Sequence, residues 1–438
     1  MSEGTPSRRA ERRVFAKAAR RLIPFMGLLY VASFLDRVNI SYAALRMNAA
    51  IHLGSEAYGL GAGIFFIGYF LFEVPSNLIL ERVGARLWIF RIMVTWGIVS
   101  MATAFVRERH AFYFLRFLLG AAEAGFFPGM VLYLTYWFPQ RLRARFIAQF
   151  LAAVPLASAI GGPLSSLVLA NFDGVRGLSG WQWLFLLEGL PSCFLGFCVL
   201  VVLPDGPNSA RWLDENEKTL ITSSLAGDAR PVRTLRTAFL DRRIWMLSAV
   251  SFGIVTGLYG LGLWIPQMVA SMGYSLFANG FVVAVPYTAG MVGMILWGYS
   301  SDLTRERTWH TAFAALIAAA GLTAAALTHR PTESVIALSV AAIGIYAALS
   351  TFWTLPPSFL GGTAAAGGVA LVNSVGNLGG FIGPFLVGWL KATTKSYAAG
   401  MAALSFFLCL SAIMVLVLAR YLSFEARAHM FDRYAPPA

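Results

Sequence analysis

The sequence predicts an all-α membrane protein, with twelve transmembrane helices in two pseudo-symmetric six-helix bundles. Three observations carry that prediction. The 438 residues are 58% hydrophobic and only 13% charged, where soluble domains run near a quarter charged, and the mean hydropathy is +0.67. Apolar runs recur at lengths of about 20 residues, enough for a helix to cross a hydrocarbon core of about 30 Å. The longest hydrophilic stretch, residues 204–242, divides those runs six and six.

The elements follow in order along the chain. Residues 1–21 carry Arg8, Arg9, Arg12, Arg13, Lys17, Arg20 and Arg21, too long and basic a lead for a secretory signal, and read as a cytoplasmic tail. The first span, 22–45, holds Asp36 and Arg37 inside an otherwise apolar run. The second and third are 57–80 and 86–106, and the fourth, 110–137, holds Arg116 and Glu123. The fifth, 143–168, contains Gly161-Gly162-Pro163, and the sixth, 181–203, contains Glu188, which reads as a helix-packing acid. Asp214, Glu215, Glu217 and Lys218 mark a short solvated helix in the central loop. The C-terminal spans are 243–271, 278–299, 309–328, 333–355, 363–390 and 396–421, followed by a tail over 422–438. Residues 244–301 and 334–390 contain no Asp, Glu, Lys or Arg, so intramembrane charge is confined to the first six spans.

Twelve spans put both termini on one side. With that side cytoplasmic, 25 of the 34 basic residues fall in inner segments and seven in outer loops; Arg37 and Arg116 are the other two. This bias orients the chain. It accounts for the net charge of +13 through anionic lipid, without calling on nucleic acid. Cys193, Cys198 and Cys409 lie in apolar stretches with neither metal nor disulfide spacing. No histidine falls where a buried proton relay would need one, and no Ser/His/Asp set or nucleotide loop suggests an enzyme.

The halves echo each other. Glu81-Arg82-Val83-Gly84-Ala85-Arg86 follows the second span, and Asp302-Leu303-Thr304-Arg305-Glu306-Arg307 follows the eighth. An acid beside a basic turn can lock neighbouring helices at the inner face. Glu73, toward the inner end of the second span, belongs with that gate network. Gly161-Gly162-Pro163 in span five is answered by Gly379-Gly380 and Gly383-Pro384 in span eleven. Such repeats are how many transporters surround a midplane site.

Charge at the bilayer centre costs about 2.5–3.5 kcal/mol even on lenient scales and usually serves function. Arg116 and Glu123 are seven residues apart, nearly two turns at about 100° per residue, so they share a helix face. Asp36 and Arg37 are neighbours and point about 100° apart.

Three segments resemble the anion:cation symporter family of the major facilitator superfamily: Tyr30 to Ala43, containing Asp36-Arg37-Val38-Asn39; Arg116-Phe-Leu-Leu-Gly120-Ala-Ala-Glu123-Ala-Gly125-Phe-Phe-Pro128-Gly129; and Trp181-Gln-Trp183 through Glu188-Gly189. The resemblance covers the whole chain. Residues 59–86 and 126–138 look most like the bacterial tartrate-permease branch, in a family that also takes phthalate, hydroxyphenylacetate and sugar acids. It implies the major facilitator fold and uptake of a small organic carboxylate by proton-coupled symport across the bacterial inner membrane. It matches Asp36 and Glu123 to protonatable acids, and Arg37 and Arg116 to intramembrane arginines.

The expected mechanism is alternating access. Arg116, helped by Arg37, holds a substrate carboxylate through paired N–H donors. Glu123 exchanges a proton in a dehydrated pocket, and Asp36, held next to Arg37, is the second proton site. Tyr30, Asn39, Gln149, Tyr259, Trp353, Asn373 and Asn377 are the candidate polar and aromatic ligands, with amides and hydroxyls suited to a hydroxylated dicarboxylate such as tartrate or a sugar acid. Protons are the coupling ion, no other cofactor is expected, and the chain reads as a monomer. The rival reading is a proton-independent uniporter or exchanger of organic anions, aromatic carboxylates included.

Overall fold

The computed structural model describes residues 8–226, 240–356 and 364–434. Within them, the side chains of 8–9, 140–141, 144–145, 147–152, 226, 364–367, 370 and 422–434 lie outside the description. The described residues contain helices and no strand, and twelve spans have the length and apolar composition to cross a membrane.

In the first half these are α1 (Arg8–Ala50), α2 (Ser55–Val83), α3 (Ala85–Ala102), the pair α4 (Arg109–Glu123) and α5 (Phe126–Thr135), α6 (Gln140–Asn171) and α7 (Gly180–Val202). A short helix, α8 (Glu215–Ala226), follows. The second half contains α9 (Arg242–Gly262) with the short α10 (Ile265–Ser271), then α11 (Leu276–Thr304), α12 (Thr308–Leu327), α13 (Pro331–Phe352), α14 (Ala364–Thr394) and α15 (Ala398–Tyr434).

The six-plus-six repeat is visible in which helices pack together. In the first half α1 packs on α6 and α7, and α3 on α7 and α4; in the second, α9 packs on α14 and α15, and α12 on α15 and α13. These are the same four pairings shifted by six spans. The chain groups into two compact units, Met1–Leu53, Ile64–Arg230 and Ser275–Phe281 in one, and Gly54–Gly63, Pro231–Tyr274 and Val282–Ala438 in the other. Tails and central loop aside, the predicted bundle limits, 22–203 and 243–421, differ from these units in that Gly54–Gly63 groups with the second unit and Ser275–Phe281 with the first.

The N-terminal segment is helix from Arg8 onward, where the sequence reading placed a tail up to residue 21. The reason is periodic: Val14, Phe15, Ala18 and Leu22 are buried and extend the apolar stripe of the span backward. Lys17 ties this extension to Glu217 of α8 at 2.6 Å. The expected helix in the central loop is α8, opened by reciprocal bonds: the Glu217 N–H donates to Asp214 Oδ1 at 2.7 Å, and the Asp214 N–H to Glu217 Oε2 at 3.1 Å. Residues 227–239 of that loop lie outside the description.

The fourth span, expected as one helix, is broken. α4 ends at Glu123, Gly125 takes a left-handed φ of 83°, and α5 begins at Phe126. Upstream of the break, α4 crosses α2 so closely that a Cβ on Gly120 would collide with the Phe65 carbonyl. Small residues permit such backbone approach between membrane helices. That crossing places the Phe65 and Tyr69 rings of α2 over the polar groups of α1 and α4.

Candidate functional site

The site is built on α1, α2 and α4. Ser33 and Arg37 are four residues apart on α1 and share a face. Both reach the same acceptor, Glu123 Oε1: Ser33 Oγ donates at 2.7 Å, and Arg37 Nη2 donates as the cation of an ion pair. The three are buried, with Glu123 2% and Arg37 8% exposed. The break after α4 makes Glu123 the last residue of its helix.

Phe65 gathers the two arginines. The Arg37 guanidinium carbon lies 5.2 Å from the Phe65 ring centroid and that of Arg116 lies 5.0 Å from it. Phe34 and Tyr69 also face Arg37, at 5.3 and 5.4 Å. Aromatic faces attract a cation where water is scarce, so Phe65 holds Arg116 and the Glu123-paired Arg37 at one ring. Arg116 is 1% exposed. The shared helix face of Arg116 and Glu123 is therefore directed inward to the bundle.

Asp36 corrects one expectation. The sequence reading kept it next to Arg37; the structure turns it the other way, toward α3 and α7. Trp96 Nε1 and Ser100 Oγ each donate to it at 2.9 Å, Ser192 Oγ donates at 2.5 Å, and Asn39 Nδ2 approaches at 3.4 Å. The step of about 100° between neighbours on a helix separates two carboxylate environments: Glu123 with a cation, Asp36 with neutral donors. Asn39 is 1% exposed and belongs to the Asp36 group. Tyr30 packs in an aromatic wall, its ring 5.6 Å from Phe34, 5.6 Å from Phe127 and 6.4 Å from Phe126.

In the second unit Tyr259 is buried on α9. Asn373 and Asn377 are half-buried one turn apart on α14. Trp353 lies half-buried in the turn that ends α13, 5.5 Å from the Phe352 ring. The Gln149 side chain is outside the described residues. Among the described residues no group of three or more His, Cys, Asp or Glu is placed to hold a metal ion.

The two basic turns use other partners than their sequences suggest. Glu73 is 4% exposed, while Glu81, Arg82 and Arg86 are exposed. Arg86 is engaged by Asp205, whose Oδ1 accepts its backbone N–H at 3.0 Å while Oδ2 lies 3.8 Å from Nε. In the second turn Asp302 pairs with Arg307 at 2.5 Å. Arg305 is exposed in a left-handed conformation with φ 55°, which directs it off that pair. The centre of this turn is Glu306, which sequence reasoning missed. Its carboxylate accepts the Trp309 N–H at 2.8 Å and the His310 N–H at 3.1 Å, and the His310 ring lies 3.1 Å away. An acid just ahead of the first turn of α12, with a histidine four residues on, was the available signal.

Two pseudo-symmetric bundles of membrane-spanning helices, with buried ionisable groups clustered inside one of them, define a solute transporter and not an enzyme. The chain belongs to the Major Facilitator Superfamily, whose model matches residues 26–384. It is 48% identical over 422 residues to a putative tartrate transporter of Agrobacterium vitis, covering 95% of this chain and 94% of that one. It is 43% identical to the putative metabolite transport protein NicT of Pseudomonas putida, over 92% of this chain and 94% of that one. In fold it resembles a bacterial homologue of the human lysosomal transporter Spinster, solved in an inward-facing and occupied conformation, with a TM-score of 0.70 at 19% identity over 95% of this chain and 98% of that one. The chain is a multi-pass membrane transporter.

Proposed function

We propose that this transporter takes up a small organic anion together with protons, by alternating access, and that the anion is a hydroxylated dicarboxylate such as tartrate or a sugar acid. The observation that carries this reading is the Arg37–Glu123 ion pair beside Arg116 at the Phe65 ring. A substrate carboxylate and Glu123 compete for the same guanidinium donors. A proton on Glu123 weakens its hold on Arg37, and the freed donors take the substrate carboxylate in bidentate fashion alongside Arg116. Proton and anion thus favour each other's binding, a coupling that is reciprocal by linkage. Asp36 is the second proton site, since the hydroxyls of Ser100 and Ser192 can turn to suit either protonation state. Asn373, Asn377 and Tyr259 are the proposed ligands for the substrate's hydroxyl groups. The similarity to the Agrobacterium vitis protein supports a tartrate-like substrate, and the bias of basic residues supports an inner-membrane chain with both termini cytoplasmic.

The test is uptake of labelled tartrate by purified protein in liposomes. A pH gradient, acidic outside, is expected to drive accumulation. Glu123→Gln is expected to abolish accumulation while tartrate exchange between the two sides persists. Equal wild-type uptake with and without the gradient would replace symport by uniport or exchange. A second reading, an aromatic carboxylate substrate, is favoured by the wall of Tyr30, Phe34, Phe126 and Phe127. Thermal stabilisation separates the two, because a ligand raises stability in proportion to the logarithm of its concentration over its dissociation constant. Stabilisation by phthalate or hydroxyphenylacetate but not by tartrate or glucarate selects the aromatic class.

A further inference from the structure

A second pair of carboxyl groups lies inside the first bundle, away from Arg37. On α7, Glu188 and Ser192 are four residues apart and share a face; on α1, Asp36 and Asn39 are three apart and share a face. Ser192 donates to Asp36 at 2.5 Å. Asn39 lies within 3.4 Å of Asp36 and in hydrogen-bonding reach of Glu188. Asn39 therefore stands between two carboxyl groups. Glu188 is 6% exposed, and its Oε1 accepts from Ser165 Oγ of α6 at 2.9 Å.

Two acceptor atoms here have no hydrogen-bond partner among the described residues: Oε2 of Glu188 and Oδ1 of Asn39. No cation is paired with Glu188 there either. Among the described residues, the charged groups that act on Asp36 and Glu188 are each other and Glu123 of α4, and the ion pair seen for Arg37 is with Glu123. The remaining neighbours, Trp96 and Ser100 of α3 and Ser165 of α6, are neutral. A buried, unpaired carboxylate next to a second carboxylate is strongly unfavourable, and so is a buried orphan acceptor. One proton removes both faults. On Oε2 it turns an orphan acceptor into a donor. The Asn39 amide needs no rearrangement, since its Nδ2 donates to Asp36 and lies in reach of Glu188.

We propose that Glu188 is a proton-holding carboxyl, protonated at Oε2 in the native protein and bridged to Asp36 by Asn39, so that Asp36 and Glu188 share one proton between them. That this proton takes part in the transport cycle rests on the symport reading; that it resides on Glu188 does not.

The test is infrared difference spectroscopy of the full-length protein in lipid at neutral pH, which needs no substrate and so fails or succeeds independently of tartrate uptake. A carbonyl stretching band of a protonated, hydrogen-bonded carboxyl is expected in wild type and in Ser165→Ala, and its loss is expected in Glu188→Gln. Glu188→Gln should melt as wild type does, since the amide keeps an oxygen acceptor for Ser165 and, like the protonated acid, carries no charge. A band that survives in Glu188→Gln overturns the assignment, whatever Asp36→Asn does. Should Glu188→Gln not fold, Asn39→Leu gives the second reading: the band is expected to move to higher frequency as the carboxyl loses one hydrogen bond and keeps that of Ser165, and an unmoved band overturns the bridge.

Discussion

Arg37 of α1 and Glu123 of α4 form an ion pair between two helices, with the acid on the last residue before a break and the base against Phe34 of the aromatic wall. Removing one partner of such a buried pair strands the other and costs about 3–5 kcal/mol, while replacing both by apolar groups of similar size is often neutral. Arg37→Ala is therefore expected to destabilise the protein by about that amount. The double variant Arg37→Met/Glu123→Leu is expected to recover most of the loss and to transport nothing. Unfolding in detergent and uptake in liposomes, measured on the same preparations, check both halves. A double variant that still accumulates substrate against a pH gradient would remove the pair from the mechanism.

Asp36 makes a different prediction because its partners are neutral. Trp96, Ser100, Ser192 and Asn39 all direct donors at it, and a buried donor left without an acceptor costs about 1–3 kcal/mol. Asp36→Asn keeps one acceptor oxygen; Asp36→Leu keeps none. The expected order of melting temperatures is wild type, then Asn, then Leu, with the Asn variant folded but deprived of proton-driven uptake. Equal melting of the Asn and Leu variants would mean that the cradle contributes little.

Much of this architecture was legible in the sequence, for reasons particular residues make plain. The twelve apolar runs were legible because span length is set by bilayer thickness, least sharply among the last four, where alanine and glycine dominate. The common face of Arg116 and Glu123 followed from helical spacing alone. The break between them and Phe126 did not, because Ala124 and Gly125 sit in an apolar run and only backbone conformation marks the turn. The separation of Asp36 from Arg37 was half legible: spacing gave the angle, but the donors on Trp96, Ser100 and Ser192 come from spans far along the chain. Asp205, which takes Arg86, was hidden for the same reason. Which arginine of the second basic turn takes Asp302 was not legible either: it is Arg307, with Arg305 held at a positive φ, which composition does not reveal.

Gly125 tests the break itself. Its φ of 83° lies where an L side chain is strained by about 1–2 kcal/mol, and a Cβ there would collide with Ser76. Gly125→Ala is expected to cost about 1–3 kcal/mol and to lower uptake by displacing Glu123. Gly27 on α1 is the control: it is helical with nothing within 4 Å of an added Cβ, so Gly27→Ala should be neutral or slightly stabilising. Equal effects of the two variants on unfolding would show that the α4–α5 turn imposes no special backbone demand.

The Glu306 turn gives a pH prediction outside the membrane spans. Burial pushes this carboxyl up, but the Trp309 N–H, the His310 ring and the His310 N–H together outweigh it and hold the group below the ordinary glutamate value of 4.5. A depressed acid contributes stability above its unfolded value and loses it as pH falls through the folded one. Amide exchange protection at Trp309 and His310 should therefore hold steady from neutral pH to about 4.5 and decline below it. Glu306→Gln keeps an oxygen acceptor but not the charge, so its protection should be lower at neutral pH and nearly flat with acid. A wild-type profile that falls well above the glutamate range, or a variant that declines in parallel with it, would assign the acid sensitivity of this turn to another group.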